Sequence, residues 1–259
     1  MFSEDAHGPH ASHGPNASYG SHVPHVPHVP RSEIVFLFDV DNTLLDNDEI
    51  IADLRRFLMR EDGGAAAEHY FEIFEQLRKE LGYADYLGAL QRYRVMYPHD
   101  TCLLAASSFL LNYPFATRLF PGALEVLERL GVFGPTVILT DGDVVFQPLK
   151  IERSGLGAAV EGRILVYIHK ERELDDVARR YPAEHYVLVD DKLRILATVK
   201  HLWGSRVTTV FPRQGHYAHD PEILAHNPPA DVSIDSIGDL LEYDVPTLLR
   251  GTTVGKVGT

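Results

Sequence analysis

Five apolar residues, Ile34-Val35-Phe36-Leu37-Phe38, run without interruption into Asp39-Val40-Asp41-Asn42-Thr43. A continuous apolar run rich in Ile, Val and Phe suits a strand buried on both faces. The two aspartates then fall where that strand ends. In an open parallel sheet, the carboxyl ends of the strands are where ligands bind. Residues two apart share a face of a strand, so Asp39 and Asp41 can point one way. If the chain turns after Asp39, one offers its side chain and the other its backbone carbonyl. Two close carboxylates repel, and the usual relief is a cation or a shared proton. A hard ion with oxygen ligands, such as magnesium, suits the pair. The competing reading is a polar turn that merely closes a strand, since Asp, Asn and Thr are common there.

The rest of the chain repeats this design. After the polar step Asp46-Asn47-Asp48-Glu49 comes a long helical region. Phe71, Phe74, Leu77 and Leu81 make one helical stripe, and Tyr86, Leu90, Tyr93 and Tyr97 make a second. Gly63-Gly64 and Gly82 break the segments. Residues 101–112 read as a third, mostly apolar helix. No convincing strand lies between about 47 and 115, so a helical insertion separates the first strand from the next. Pro121 then opens a Leu-rich helix that Gly131 stops. Thr136-Val137-Ile138-Leu139 is a second buried strand, ending at Thr140-Asp141-Gly142, and a helix follows to Ser154. Residues 163–168 form a third strand ending at His169-Lys170, and a helix follows over 171–181. Tyr186-Val187-Leu188-Val189 runs into Asp190-Asp191. Residues 207–211 and 232–234 are two more strand candidates. Strands alternating with helices predict an α/β fold with a parallel, doubly wound sheet.

The chain has 259 residues, enough for a large core and one or two domains. A formal net charge of -13 argues against a nucleic-acid groove or an anionic membrane surface as main partner. It also repels phosphorylated substrates at long range, so a phosphate site here needs a local cation. The single cysteine, Cys102, cannot form an intramolecular disulfide, which fits a reducing cytoplasm. It reads as a small core residue. Neither a secretory leader nor a membrane span is evident. Residues 1–32 are rich in His, Pro, Gly and Ser, with His-Val-Pro repeated three times up to Pro30. Proline every third residue predicts an extended, disordered arm. Its histidines suggest weak transition-metal binding at most, because that spacing imposes no coordination geometry.

Four strand ends therefore carry polar residues: Asp39 and Asp41, then Thr140, then Lys170, then Asp190-Asp191. Parallel strands bring all four to one edge. Together they supply a carboxylate nucleophile, a carboxylic acid for the leaving group, a hydroxyl and an ammonium for an anion, and further carboxylates for a metal. Lys150 is a rival for the part of Lys170, which is favoured because it follows a strand end.

With these residues in place, the chain resembles the haloacid dehalogenase-like superfamily, in its magnesium-dependent phosphatase branch. Asp39-Val40-Asp41-Asn42-Thr43 matches the family's Asp-x-Asp-x-Thr motif, and Thr140, Lys170 and Asp190-Asp191 match the next three. The resemblance implies a Rossmann-like core over 33–46 and 116–259, with a helical cap over 47–115. It implies that Asp39 attacks phosphorus to form an aspartyl-phosphate. Asp41 would donate a proton to the leaving oxygen and later activate water, while its carbonyl binds Mg2+. Thr140 and the backbone amides near Asp141 and Gly142 would hold phosphate oxygens. Lys170 would neutralise charge, and Asp191, with Asp190 beside it, would complete the metal site. Two positions depart from the pattern. Ile195 stands where many relatives carry a further Asp, and Asp141 puts a carboxylate near the expected phosphate.

The expected activity is hydrolysis of a small phosphorylated metabolite. A phosphotransferase such as a sugar phosphomutase shares the core, and a non-catalytic phosphate-binding regulatory module is the alternative of another class. The dehalogenase branch is disfavoured because it lacks the second motif aspartate and needs no magnesium. The large insertion argues against a compact phosphate-accepting receiver. Cap residues Arg92, Tyr93, Arg94 and His99 are candidates for substrate contact.

Overall fold

The computed structural model describes residues 31–61, 64–100 and 102–249. The His-Val-Pro repeats lie outside the described residues. The chain enters through strand β1 (Ser32–Phe38), and its alternation decides the architecture. Ile34, Phe36 and Phe38 face one apolar cluster, while Val35 and Leu37 face the other. Side chains of a strand alternate between faces, so a run with no polar member needs cover on both sides.

The helices that follow β1 are α1 (Asn47–Glu61), α2 (Gly64–Leu81), α3 (Tyr86–Met96) and α4 (Cys102–Leu111). They bury the predicted stripes, with Phe71, Phe74 and Leu77 of α2 facing Tyr86, Leu90 and Tyr93 of α3 in one core. The Phe74 and Tyr86 rings sit 4.8 Å apart. Burial of each ring stabilises the packing by about 1.5–3 kcal/mol. The side chain of Cys102 lies outside the described residues.

The α/β pattern resumes with α5 (Ala123–Gly131) and β2 (Thr136–Asp141), then α6 (Phe146–Ser154), α7 (Leu156–Ala159) and β3 (Ile164–Tyr167). Gly122 enters α5 at φ 83°, and a Cβ there would lie 2.9 Å from Gly238 Cα. Next come α8 (Leu174–Arg180), β4 (Ala183–Val189), α9 (Leu193–Trp203), β5 (Val207–Pro212), α10 (Pro221–His226), β6 (Val232–Ile234) and α11 (Val245–Leu249). The helix expected over 171–181 is split. Residues Lys170–Arg172 form a 3-10 turn, because the Lys170 N–H and ammonium are both drawn into the site, and α8 starts only at Leu174.

All six strands pair in parallel, in the order β3-β2-β1-β4-β5-β6. The chain builds outward from β1 on one side, then returns to its other side with β4. The connections that leave β1 and β4 therefore run apart at the switch point, which opens a crevice. Helices α1–α4 come from the loop that leaves β1 at this crevice. Tyr86 of α3 reaches Phe146 of α6, with ring centroids 5.0 Å apart.

Candidate active site

Phe38 pairs in register with Val189, so the next residues, Asp39 and Asp190, leave adjacent strand ends side by side. The Asp39 N–H donates to Val189 O at 3.0 Å. The chain then turns: Val40 O accepts from the N–H groups of Leu44 and Leu45. Asn42 adopts φ 60°, a left-handed conformation that Asn tolerates better than most residues. The turn separates the two aspartates. Asp39 stays buried, while Asp41 lines a cavity of about 290 Å³ at the crevice. Thr43 Oγ1 accepts the Asp191 N–H at 3.0 Å, which ties this loop to the one after β4.

Lys170 sits between the strand ends. Its Nζ lies 2.5 Å from Asp39 Oδ1 and 2.7 Å from Asp190 Oδ2, and it donates to Leu139 O. Asp190 Oδ1 accepts the Lys192 N–H at 2.8 Å. Asp190 Oδ1 is thus hydrogen-bonded, and Oδ2 is held by the ion pair alone. Asp191 differs. Neither of its carboxylate oxygens, nor Asp39 Oδ2, has a hydrogen-bond partner among the described residues. One oxygen each of Asp39, Asp190 and Asp191 falls within 4.8 Å of the others. Buried carboxylate oxygens without donors are costly. An all-carboxylate set of this kind fits a hard divalent cation such as magnesium.

The charges are unequally settled. Burial is the largest influence on Asp39 and acts to raise its carboxyl, but the Lys170 and Lys192 charges together hold it below its ordinary value. Asp39 is therefore ionised, as a nucleophile must be. Burial pushes Asp190 up to about 6 against the pull of Lys170. Asp191 is pushed well above the usual range by burial, reinforced by the charges of Asp190 and Asp39. It is the carboxylate that gains most from an added cation.

Other residues expected at the site have protein partners of their own. Thr140 is buried and does not line the cavity; its hydroxyl accepts from Gln147 Nε2 at 3.0 Å. The Gly142 N–H donates to Tyr167 O at 3.0 Å, because β2 stays paired with β3 to its end. Asp141 does reach the cavity wall, where Oδ1 accepts the Lys170 N–H at 2.7 Å. Burial raises its carboxyl. Of the proposed substrate contacts Arg92, Tyr93, Arg94 and His99, none lines this cavity.

The two lysines weighed against each other both serve, one for each aspartate. Lys150, fully buried on α6, places Nζ 2.6 Å from Asp41 Oδ1 and donates to Asn47 Oδ1 at 3.1 Å. The Tyr86 hydroxyl donates to the same Asn47 oxygen at 3.1 Å. A chain of contacts thus runs from Asp41 through α6 and the first residue of α1 to α3. Its sequence signal is a lysine on the buried face of α6, one turn after Phe146 and beside Ile151. Lys192, next to the acidic pair, also escaped the motif-based reading, as did Arg78 and Tyr217, which line the cavity with it.

A haloacid dehalogenase-like hydrolase from Burkholderia xenovorans LB400 matches at 66% identity, over 83% of this chain and 100% of that one, with a TM-score of 0.80. The chain belongs to the haloacid dehalogenase-like hydrolases. More distant structures share the haloacid dehalogenase-like fold. The HAD-hydrolase YfnB from Bacillus subtilis, bound to magnesium, matches at 20% identity over 82% of this chain and 98% of that one, with a TM-score of 0.54. The L-2-haloacid dehalogenase from Xanthobacter autotrophicus matches at 16% identity over 86% and 100%, with a TM-score of 0.55. No protein-family model and no curated protein matches the chain. Among the described residues, no helix is long and apolar enough to cross a membrane.

Proposed function

We propose that this hydrolase is a magnesium-dependent phosphomonoesterase that acts on a small phosphorylated metabolite. One observation carries the reading. Three buried carboxylates meet at the crevice with three oxygens lacking partners, and a fourth carboxylate, Asp41, faces the adjoining cavity. Carbon–halogen cleavage develops no phosphoryl charge for an ion to neutralise, so a metal-binding set of acids favours phosphate chemistry. Asp39 and Asp191, with the Asp41 carbonyl, would hold the ion, and Asp190 would steady the set through Lys170. When bound, the ion supplies charge neutralisation on the phosphoryl oxygens.

The chain's own residues supply the rest. An Asp39 oxygen attacks phosphorus, and the ester P–O bond breaks with its electron pair passing to the leaving oxygen. Asp41 delivers a proton to that oxygen. Lys170 stabilises the charge gathered at Asp39 and the phosphoryl group. Water then attacks phosphorus and gives a proton to Asp41. The Asp39–phosphorus bond breaks, and free phosphate and the Asp39 carboxylate result. Helices α1 and α2 and the turn at 82–84 wall one side of the cavity and limit access of bulk water.

Rapid-quench labelling with a radioactive activated aryl phosphate tests the roles. Asp39→Asn should form no phosphoenzyme, because an amide is a poor nucleophile. Asp41→Asn should label and then stall, with turnover down about 10²–10⁴-fold. Label on the Asp39 variant but not on the Asp41 variant reverses the assignment. Halide release from 2-haloacids, with no phosphate release in magnesium, replaces the phosphatase reading by dehalogenation.

A further inference from the structure

The cavity wall carries groups of opposite charge. Its acids Asp41, Asp141 and Asp191 are each already committed: to Lys150, to the Lys170 N–H, and to the proposed ion. Beside them two cations of the same wall converge on one aromatic ring. Arg78 Cζ from α2 lies 5.7 Å from the Tyr217 ring centroid, and Lys192 Nζ lies 5.8 Å from it. Arg78 also donates to the Tyr217 hydroxyl.

Neither cation is firmly neutralised. Among the described residues, the Lys192 ammonium has no hydrogen-bond acceptor. Its attraction to Asp191 and Asp39 is electrostatic, and a metal ion on those carboxylates would cancel it. Arg78 has one carboxylate partner, Glu75, at 3.3 Å, and Glu75 is half exposed. A pair of that kind is worth little and exchanges readily. Two cations held together by a ring in a walled cavity repel each other. An anion between them relieves the repulsion, and Arg binds carboxylate or phosphate through paired donors.

We infer that Arg78, Lys192 and Tyr217 form a subsite for a second anionic group, so that the substrate is a small phosphate ester carrying a carboxylate or a further phosphate. The inference rests on the phosphatase reading, since it places the phosphoryl group at the carboxylates. The size of the cavity agrees, because about 290 Å³ takes a molecule of small-metabolite size and little more. The subsite draws Arg78 from α2 and Lys192 and Tyr217 from the segments that follow β4 and β5, so an anion bound there bridges the helical insertion and the core.

The test separates binding from turnover. Magnesium-loaded protein is titrated calorimetrically with three non-hydrolysable probes of similar length: an alkyl phosphonate with a neutral tail, one with a terminal carboxylate, and one with a terminal phosphonate. An anionic tail should tighten binding by about 10–100-fold, the worth of one or two charge-assisted hydrogen bonds. The tail that gains more identifies the natural group. Arg78→Gln should abolish most of that advantage, and Arg78→Lys should restore part of it. The ratio of kcat/KM between an anionic-tailed phosphate ester and a neutral one should fall in parallel. Equal binding of all three probes to the wild type overturns the inference, as does an advantage that survives in folded Arg78→Gln. If no phosphate ester turns over but the Arg78-dependent preference remains, the phosphatase reading fails and the subsite stands.

Discussion

Replacing Lys150 by Met isolates the contact that the motifs did not show. The substitution keeps the length of the side chain on α6 but removes its ammonium. Asp41 then loses its ion-pair partner at 2.6 Å, and Asn47 Oδ1 keeps only the Tyr86 hydroxyl. Removing one member of a fully buried pair typically costs about 3–5 kcal/mol. Asp41 is 20% exposed and faces the cavity, so water recovers part of that loss, and about 2–3 kcal/mol is expected. For a chain of this size this corresponds to a fall in Tm of roughly 4–12 °C. Calorimetry on wild type, Lys150→Met, Asp41→Asn and the double variant closes the cycle. In the double variant the stranded charge is gone, so the two effects should fall short of additivity by about 1–3 kcal/mol. Turnover of an aryl phosphate should drop in Lys150→Met as well, because Asp41 is no longer held in place. A variant that melts with wild type, or a cycle whose effects add within about 0.5 kcal/mol, refutes the coupling.

Two further predictions follow from neighbouring carboxylates. Asp191→Asn should weaken magnesium binding more than Asp190→Asn, because the Asp190 oxygens are taken by Lys170 and the Lys192 N–H; magnesium titrations followed by thermal shift should rank them, and the reverse order would reject the assignment. Asp231 accepts from Lys200 Nζ and from the Thr209 N–H and hydroxyl, and these contacts outweigh burial to hold its carboxyl below the ordinary value. A lowered folded-state value stabilises the fold above the unfolded-state value, near 3.9, and is lost as pH falls through the folded value. Asp231→Asn should therefore be less stable at neutral pH and lose less on acidification, as urea midpoints at pH 3 and pH 7 would show; parallel losses in both proteins would contradict it.

The linear order of residues was enough for the sheet and for half of the site. Apolar runs such as Val35–Phe38 and Tyr186–Val189 demand cover on both faces whatever surrounds them, and this made the parallel sheet legible. Parallel strands then bring Asp39, Lys170 and Asp190 to one edge as a matter of direction alone. Side-chain commitments were not legible in this way. Asp39 and Asp41 are two residues apart, yet only the turn at Asn42 decides that one is buried against Lys170 and the other faces the cavity. Thr140 was expected at an anion because it ends a strand; that Gln147, seven residues on, donates to its hydroxyl is set by the packing of α6 and could not be read from the chain. Lys150 lies 109 positions from Asp41 in the chain and meets it only through the packing of α6, while Arg78 and Tyr217, 37 and 176 positions away, reach the cavity only through α2 and the segment after β5. A local pattern records what a residue must avoid or bury. Which charge it meets depends on distances that only the folded chain sets.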